Sequence, residues 1–319
     1  MNDFPSFLSA LRPEVDQALD RLLPDAGTEP AAIHEAMRYS VFAGGKRVRP
    51  ALVVLAGEAW GGSREDLLVG GAAVEMVHTF SLIHDDLPAL DDDDLRRGRP
   101  TLHRARGEAM AVLAGDALLN RAYEVLNREP ASAPPERRLE AVRVVADAVG
   151  TAGMIGGQVF DLQHEGGVRG SSDPLPPKAA RKRAGRRPAP LGADAEALER
   201  IHRLKTGALI EASTRLGGVY AGAGTGGIEQ AGRIGAELGL LFQIGDDILD
   251  EVGSSEELGK TPGKDRQAGK LTYPGLFGLE GSREKALQAA DRCLALVEGL
   301  PSGRELFRAL VAFLVHRGS

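Results

Sequence analysis

Two acidic clusters dominate the chemistry available to this chain: HDDLPALDDDD from His84 to Asp94 and GDDILD from Gly245 to Asp250. Crowded carboxylates repel one another, each close pair by roughly 4 kcal/mol at 4 Å with an effective dielectric near 20, so such a set requires a cation among its members. All-oxygen ligation suits a hard divalent ion, and Mg2+ characteristically joins a few carboxylates to substrate phosphates. The second cluster has the simpler geometry, because Gln243, Asp246, Asp247 and Asp250 fall at i, i+3, i+4 and i+7 and share one helical stripe. Carboxylates near a helix C-terminus oppose its dipole, which argues for a role beyond solvation. In the first cluster Asp85 and Asp91 stand about 120° apart around an ideal helix and can share an ion only where the helix deforms. Pro88, between them, supplies the means. Asp92, Asp93 and Asp94 are expected to face solvent or to pair with Arg96 and Arg97. A calcium loop of the EF-hand type does not fit, because the glycine and glutamate it requires are missing.

Basic residues come in sets that suit phosphoryl oxygens. In GGKRVRP, from Gly44 to Pro50, Lys46 and Arg49 lie where one helix should stop and the next begin, so their charges add to the free N–H groups of a helix N-terminus. Adjacent Arg96 and Arg97 cannot point the same way, so each can serve a different anion. His78 lies two turns before Asp85 on roughly its face, and Lys205, Thr206, Lys260 and Lys270 add further donors. Singly, each is as readily an ordinary surface charge or, for His78, a core histidine. Jointly, carboxylates for Mg2+ and separated cationic sets describe a site for two diphosphates.

The elements that must position these residues are helices. Alanine, leucine, glutamate and arginine recur with apolar residues at three and four, and no extended β-branched alternation interrupts them. The spacing predicts helices over 4–23, 30–43, 50–60, 65–87, 107–128, 136–164, 194–221, 228–251, 272–280, 282–299 and 303–317. Gly44 and Gly45 are expected to end one helix, Pro50 to open the next, and Ser302 with Glu305 to form a capping box. The fold class is all-α, a single large helical bundle forming one domain over 1–319.

The chain is 43% hydrophobic and 26% charged, values of a folded globular protein rather than a disordered one. Its net charge of −6 conceals a basic stretch at 166–192, where seven Lys and Arg residues face Asp173 alone. Pro174, Pro176, Pro177 and Pro188 lie in the same stretch with little that is apolar, which predicts a flexible surface insertion. Without interleaved aromatics it does not suggest a nucleic-acid partner; steering of anionic substrates is the sharper expectation. No uninterrupted apolar run reaches membrane-span length and the first thirty residues lack a signal-peptide pattern, so a cytoplasmic protein with no stable membrane insertion is expected. The single cysteine, Cys293, is expected to be a buried, inert thiol.

Long motifs now carry a resemblance: GGKRVRP from Gly44, SLIHDDLPALDDDDLRRGRPT from Ser81, LAGDAL from Leu113, GGQVFDL from Gly156, HRLKTGALI from His202 and LFQIGDDILD from Leu241. Over nearly its whole length the chain resembles the trans-isoprenyl diphosphate synthases of the polyprenyl synthetase family, most closely the bacterial farnesyl diphosphate synthases. The resemblance implies an isoprenoid synthase fold around a deep central cavity, usually as a homodimer, with both aspartate motifs at its mouth. It implies that Asp85 and Asp91 bind two of three Mg2+ ions and Asp246 the third, while Asp86, Asp247 and Asp250 orient ligands or waters. Arg96, Lys205, Thr206, Gln243 and Lys260 would hold the allylic diphosphate, with Lys270 nearby; Lys46, Arg49, His78 and Arg97 would hold isopentenyl diphosphate. Phe80, five residues and roughly 7 to 8 Å before Asp85 on a helix, would form the floor that limits the product to fifteen carbons. Geranylgeranyl and geranyl diphosphate are the competing products. A noncatalytic subunit of the same family would be expected to lose one acidic cluster, and a metal-dependent phosphohydrolase of the HD type would need more ligand histidines than this chain arrays.

Overall fold

The computed structural model describes residues 3–165, 191–252 and 270–317. Lys260 and nearly all of the basic stretch at 166–192 lie outside the described residues. The chain is built from α1 (Phe4–Leu22), α2 (Ala31–Val41), α3 (Val48–Ala59), α4 (Arg64–Asp85), α5 (Leu102–Arg106), α6 (Glu108–Arg128), α7 (Pro135–Val149) and α8 (Met154–Glu165). It continues with α9 (Leu191–His202), a π-helical turn at Arg203–Gly207, α10 (Ala208–Ala221), α11 (Gly224–Val252), α12 (Tyr273–Val297) and α13 (Arg304–Arg317). Among the described residues the only sheet is an antiparallel pair, β1 (Leu95–Arg96) with β2 (Arg99–Pro100).

The helices group into two compact units where the sequence suggests one domain. The first holds the residues up to Val145 with Ser213–Ala231 and Leu300–Leu306; the second holds the remainder. In the first unit α4 packs chiefly against α6 and α3. Leu67, Ala72, Ala73, Val74, Met76 and Val77 are buried along it. This helix is long and apolar enough by composition to cross a membrane, but 72% of its most apolar window is buried within the protein, so those residues are core. In the second unit Leu238, Leu241, Ile244 and Ile248 of α11 are buried, as the all-round apolar character of that helix predicts. Cys293 is buried there, and burial pushes its thiol up to about 12.

Five local departures have physical causes. The predicted 136–164 helix breaks between α7 and α8 at Gly150–Gly153, where the Gly153 N–H donates back to the Gly150 carbonyl at 2.9 Å. The 194–221 helix is interrupted by the π-helical turn. The break expected near residue 281 is instead a kink inside α12 at Gly278, whose φ of 69° only glycine adopts at low cost. Ser302 does not cap α13; its hydroxyl donates to the Ala59 carbonyl at 3.0 Å. The two-residue hairpin at Arg97 and Gly98, with φ of 54° and 75°, carries the positive φ at both positions that a type I′ turn requires, with arginine where asparagine or aspartate is usual.

Candidate active site

In the first unit α4 ends at Asp85, and the chain folds back on itself. The Asp91 N–H donates to the Asp85 carbonyl at 2.8 Å and the Asp92 N–H to the Leu87 carbonyl at 3.1 Å, closing a turn around Pro88. The deformation demanded by the spacing is therefore a helix end with a return turn, and it brings Asp91 beside Asp85. Asp86 has different work. It is 4% exposed and accepts from Arg96 Nε at 3.0 Å and from Arg96 Nη2. Burial raises its carboxyl above the ordinary value despite those bonds. Asp93 also meets Arg96, at 3.4 Å, whereas Asp92 and Asp94 pair with Arg104 rather than with Arg97.

Arg97 turns the other way, as adjacent arginines must, and donates to the Gly44 carbonyl. A Cβ on Gly45 would lie 2.5 Å from the Arg97 guanidinium, so the glycine pair of GGKRVRP admits this side chain as well as the positive φ. His78 stands within the field of Arg49, Arg97, Arg96 and Arg47; although solvent still touches it, desolvation and those charges hold its imidazole well below its usual pKa. Lys46, Arg49, His78 and Arg97 thus share one unit, with the first three on α3, its preceding loop and α4.

Phe80 is 6% exposed on α4, its ring edge-to-face with His84 at 5.6 Å. His84 in turn lies against α6, where a Cβ on Gly115 would meet its Nε2 at 2.1 Å. The LAGDAL glycine is what lets α6 approach this close to the end of α4.

In the second unit Gln243 donates to Asp247 Oδ1 at 2.9 Å, a one-turn pair on the predicted stripe of α11. The Tyr273 N–H donates to Asp247 Oδ2 at 2.9 Å, tying the start of α12 to α11. Asp247 and Asp250 are 5% and 4% exposed, which excludes a solvated acidic helix end; Asp246, just before them, is only partly buried. Lys205 occupies the π-helical turn, a device that recurs at functional sites, and reaches Asp161 of α8 at 2.5 Å. Burial opposes the ionisation of Asp161, but Lys205 and Lys270 outweigh it and keep the carboxyl below its ordinary value. A Cβ on Gly157 would fall 2.3 Å from the Lys205 amide nitrogen, so the GGQ of α8 is the seat of this turn.

His202 and Tyr273 were not singled out by spacing. His202 Nε2 lies 3.8 Å from Asp247, and the ring is 5.6 Å from that of Tyr273. Burial pushes this imidazole down to about 3, so the approach to Asp247 is a contact of a neutral ring rather than an ion pair.

Among the described residues no three acidic, histidine or cysteine side chains gather closely enough to hold an ion alone. Mg2+ needs only one or two carboxylates where phosphate oxygens and water fill the rest of its octahedron. Asp85 with Asp91, and Asp246 beside the internally engaged Asp247, could hold such an ion.

The polyprenyl synthetase family model matches residues 30–297. A heterodimeric geranylgeranyl pyrophosphate synthase large subunit 1 of Arabidopsis thaliana is 48% identical over 286 residues, 89% of this chain and 71% of the relative. A chloroplastic geranylgeranyl pyrophosphate synthase of Capsicum annuum is 42% identical over 316 residues, 99% of this chain and 79% of the relative. The crystal structure of an FPP/GFPP synthase of Zymomonas mobilis aligns with a TM-score of 0.79 at 33% identity, covering 97% of this chain and 98% of that one. With its all-α isoprenoid synthase fold and both acidic motifs in place, the chain belongs to the polyprenyl synthetase family of trans-prenyltransferases.

Proposed function

We propose that this protein condenses isopentenyl diphosphate with dimethylallyl and then geranyl diphosphate to give farnesyl diphosphate. The observation that carries the fifteen-carbon product is Phe80, buried on α4 about 7.5 Å of helical rise before Asp85. A growing prenyl tail whose diphosphate is held at Asp85 meets that ring after a limited number of carbons. The second reading, a twenty-carbon product, is favoured by the plant relatives, which are geranylgeranyl pyrophosphate synthases by name.

In this reading Asp85, Asp91 and Asp246 would hold Mg2+, three ions per site, and Arg96, Lys205, Thr206, Gln243, Lys260 and Lys270 would bind the allylic diphosphate. Mg2+, when bound, supplies the concentrated positive charge that stabilises a departing diphosphate. Arg96, steadied by Asp86, and Lys205, steadied by Asp161, are fixed cations of the kind that stabilises a departing diphosphate. Lys46, Arg49, His78 and Arg97 anchor isopentenyl diphosphate. The allylic C–O bond breaks, the isopentenyl double bond forms the new C–C bond to the resulting cation, and one proton leaves to the released diphosphate. His78, held neutral, donates a hydrogen bond to phosphate without adding charge.

The test is to incubate the purified protein with Mg2+, dimethylallyl diphosphate and isopentenyl diphosphate and to separate the products by chain length. Farnesyl diphosphate is expected, with turnover lower by roughly 10²- to 10³-fold or more in Asp85→Ala and Asp246→Ala. A twenty-carbon product would select the second reading, and absence of turnover would overturn prenyl transfer.

A further inference from the structure

One buried charge network in the first unit takes no part in the chemistry just described. Arg47 sits between Lys46 and Arg49 in the sequence, yet it is 3% exposed, and Glu75 on α4 is 2% exposed. Arg47 Nη1 donates to Glu75 Oε1 at 2.7 Å, Nε to Asp16 Oδ1 at 2.8 Å, and Nη2 to the Val41 carbonyl at 2.8 Å. One guanidinium is thereby bonded to α1, to the end of α2 and to α4, while its own backbone opens α3. That backbone is left-handed, with φ of 53° and ψ of 37°. A non-glycine residue persists in this region only where its surroundings over-determine it, and such residues gather at ligand clamps.

The neighbours of the pair give the network its meaning. Glu75 precedes His78 by three residues and so lies on the same side of α4. Arg47 is flanked in the chain by Lys46 and, two residues on, Arg49. The bond from Arg47 to Glu75 is thus the rivet between the loop that carries two phosphate-binding cations and the helix that carries the histidine. Glu75 also lies within the electrostatic reach of Arg97. A lone buried arginine beside this cationic group would add to its mutual repulsion, whereas the Arg47–Glu75 pair adds no net charge while fixing its geometry.

We propose that Arg47 and Glu75 are positioning residues for isopentenyl diphosphate, holding Lys46, Arg49 and His78 at the separations its diphosphate requires without touching it. This rests on the functional reading above. A purely structural pair and a positioning pair differ in one respect. Replacing a buried ion pair by apolar residues of similar volume commonly preserves or improves stability, whereas removing one partner strands a buried charge. The double variant Arg47→Met with Glu75→Leu should therefore keep its thermal midpoint, because Asp16 retains access to water. The loop and helix would, however, be free to shift relative to each other.

The experiment measures the Michaelis constants for isopentenyl and dimethylallyl diphosphate, kcat and the thermal midpoint of the wild-type, Arg47→Lys, Glu75→Gln, Glu75→Asp and double-variant proteins. The expected result is a rise of roughly 10- to 100-fold in the isopentenyl diphosphate constant of the double variant. Its allylic constant and midpoint should change little, with partial recovery of the isopentenyl constant in Glu75→Asp relative to Glu75→Gln. A double variant that folds and keeps the wild-type isopentenyl constant would overturn the proposal. So would a double variant that fails to fold while Arg47→Lys folds and binds isopentenyl diphosphate normally. If the wild-type protein itself did not turn over isopentenyl diphosphate, the functional reading would fall, and this proposal with it.

Discussion

At the scale of the residue, neighbours of one chemical type are separated into different roles by their surroundings. Asp85 and Asp86 are adjacent, yet the second is buried against Arg96 while the first stands at the helix end beside Asp91. Phe80 presents the sharpest prediction at this scale. Truncating a buried aromatic typically costs about 3–5 kcal/mol through lost burial and the cavity left behind. If Phe80 only packed the core, Phe80→Ala would lower stability and leave the product unchanged. If it is the floor of the prenyl tunnel, the same change should also shift the product from fifteen carbons toward twenty. Chromatography of the products beside a urea titration separates the two, and an unchanged fifteen-carbon product in a folded variant would assign the ring to packing alone. The one-turn pair of Gln243 with Asp247 and the opposite turning of Arg96 and Arg97 were legible because helical spacing and adjacency are local. Asp161 as the partner of Lys205, Tyr273 as a donor to Asp247, and Glu75 as the mate of Arg47 were not, since each pairing spans a sequence separation that no spacing rule encodes.

At the scale of the element, the helices followed from periodicity and their interruptions largely did not. A π-helical turn is a response to what packs against it, and Arg203–Gly207 faces the GGQ of α8. Likewise the hairpin at Arg97 and Gly98 is too short for alternation to reveal, and the return turn at Asp91 was foreseeable only as a deformation near Pro88. Gly157 tests whether the seating of the π-helical turn matters. A methyl group there would meet the Lys205 amide nitrogen at 2.3 Å, which is backbone and cannot rotate aside. Gly157→Ala should therefore destabilise the protein by about 1–3 kcal/mol through overpacking. By moving Lys205 it should also raise the Michaelis constant for the allylic diphosphate more than that for isopentenyl diphosphate. Wild-type values of both constants and of stability would show that α8 and the turn can part without consequence.

At the scale of the whole molecule, the charges that serve the site also set how the fold answers to pH. The +6 basic stretch lies within a chain of net charge −6, so the rest of the chain is strongly acidic, and the described part keeps two imidazoles neutral. His202 is 9% exposed, and burial pushes its folded pKa down to about 3 from an ordinary 6.5. Above about 6.5 neither the folded nor the unfolded chain protonates this ring, and the full stability is present. Below 6.5 the unfolded chain takes up a proton that the folded protein refuses, so stability is lost as pH falls from about 6.5 toward 3. The loss for His202 approaches about 1.4 kcal/mol per pH unit within that window. His78, lowered by desolvation and by four arginines, acts in the same direction, and Asp161, held below its ordinary value, extends the loss under more acid conditions. Urea midpoints should accordingly be level between pH 8 and 7 and decline from 6.5 to 5, with a shallower decline in His202→Asn. A midpoint that stayed constant down to pH 5 would mean that His202 takes up its proton in the folded protein, the Asp247 carboxylate at 3.8 Å outweighing the burial that opposes it.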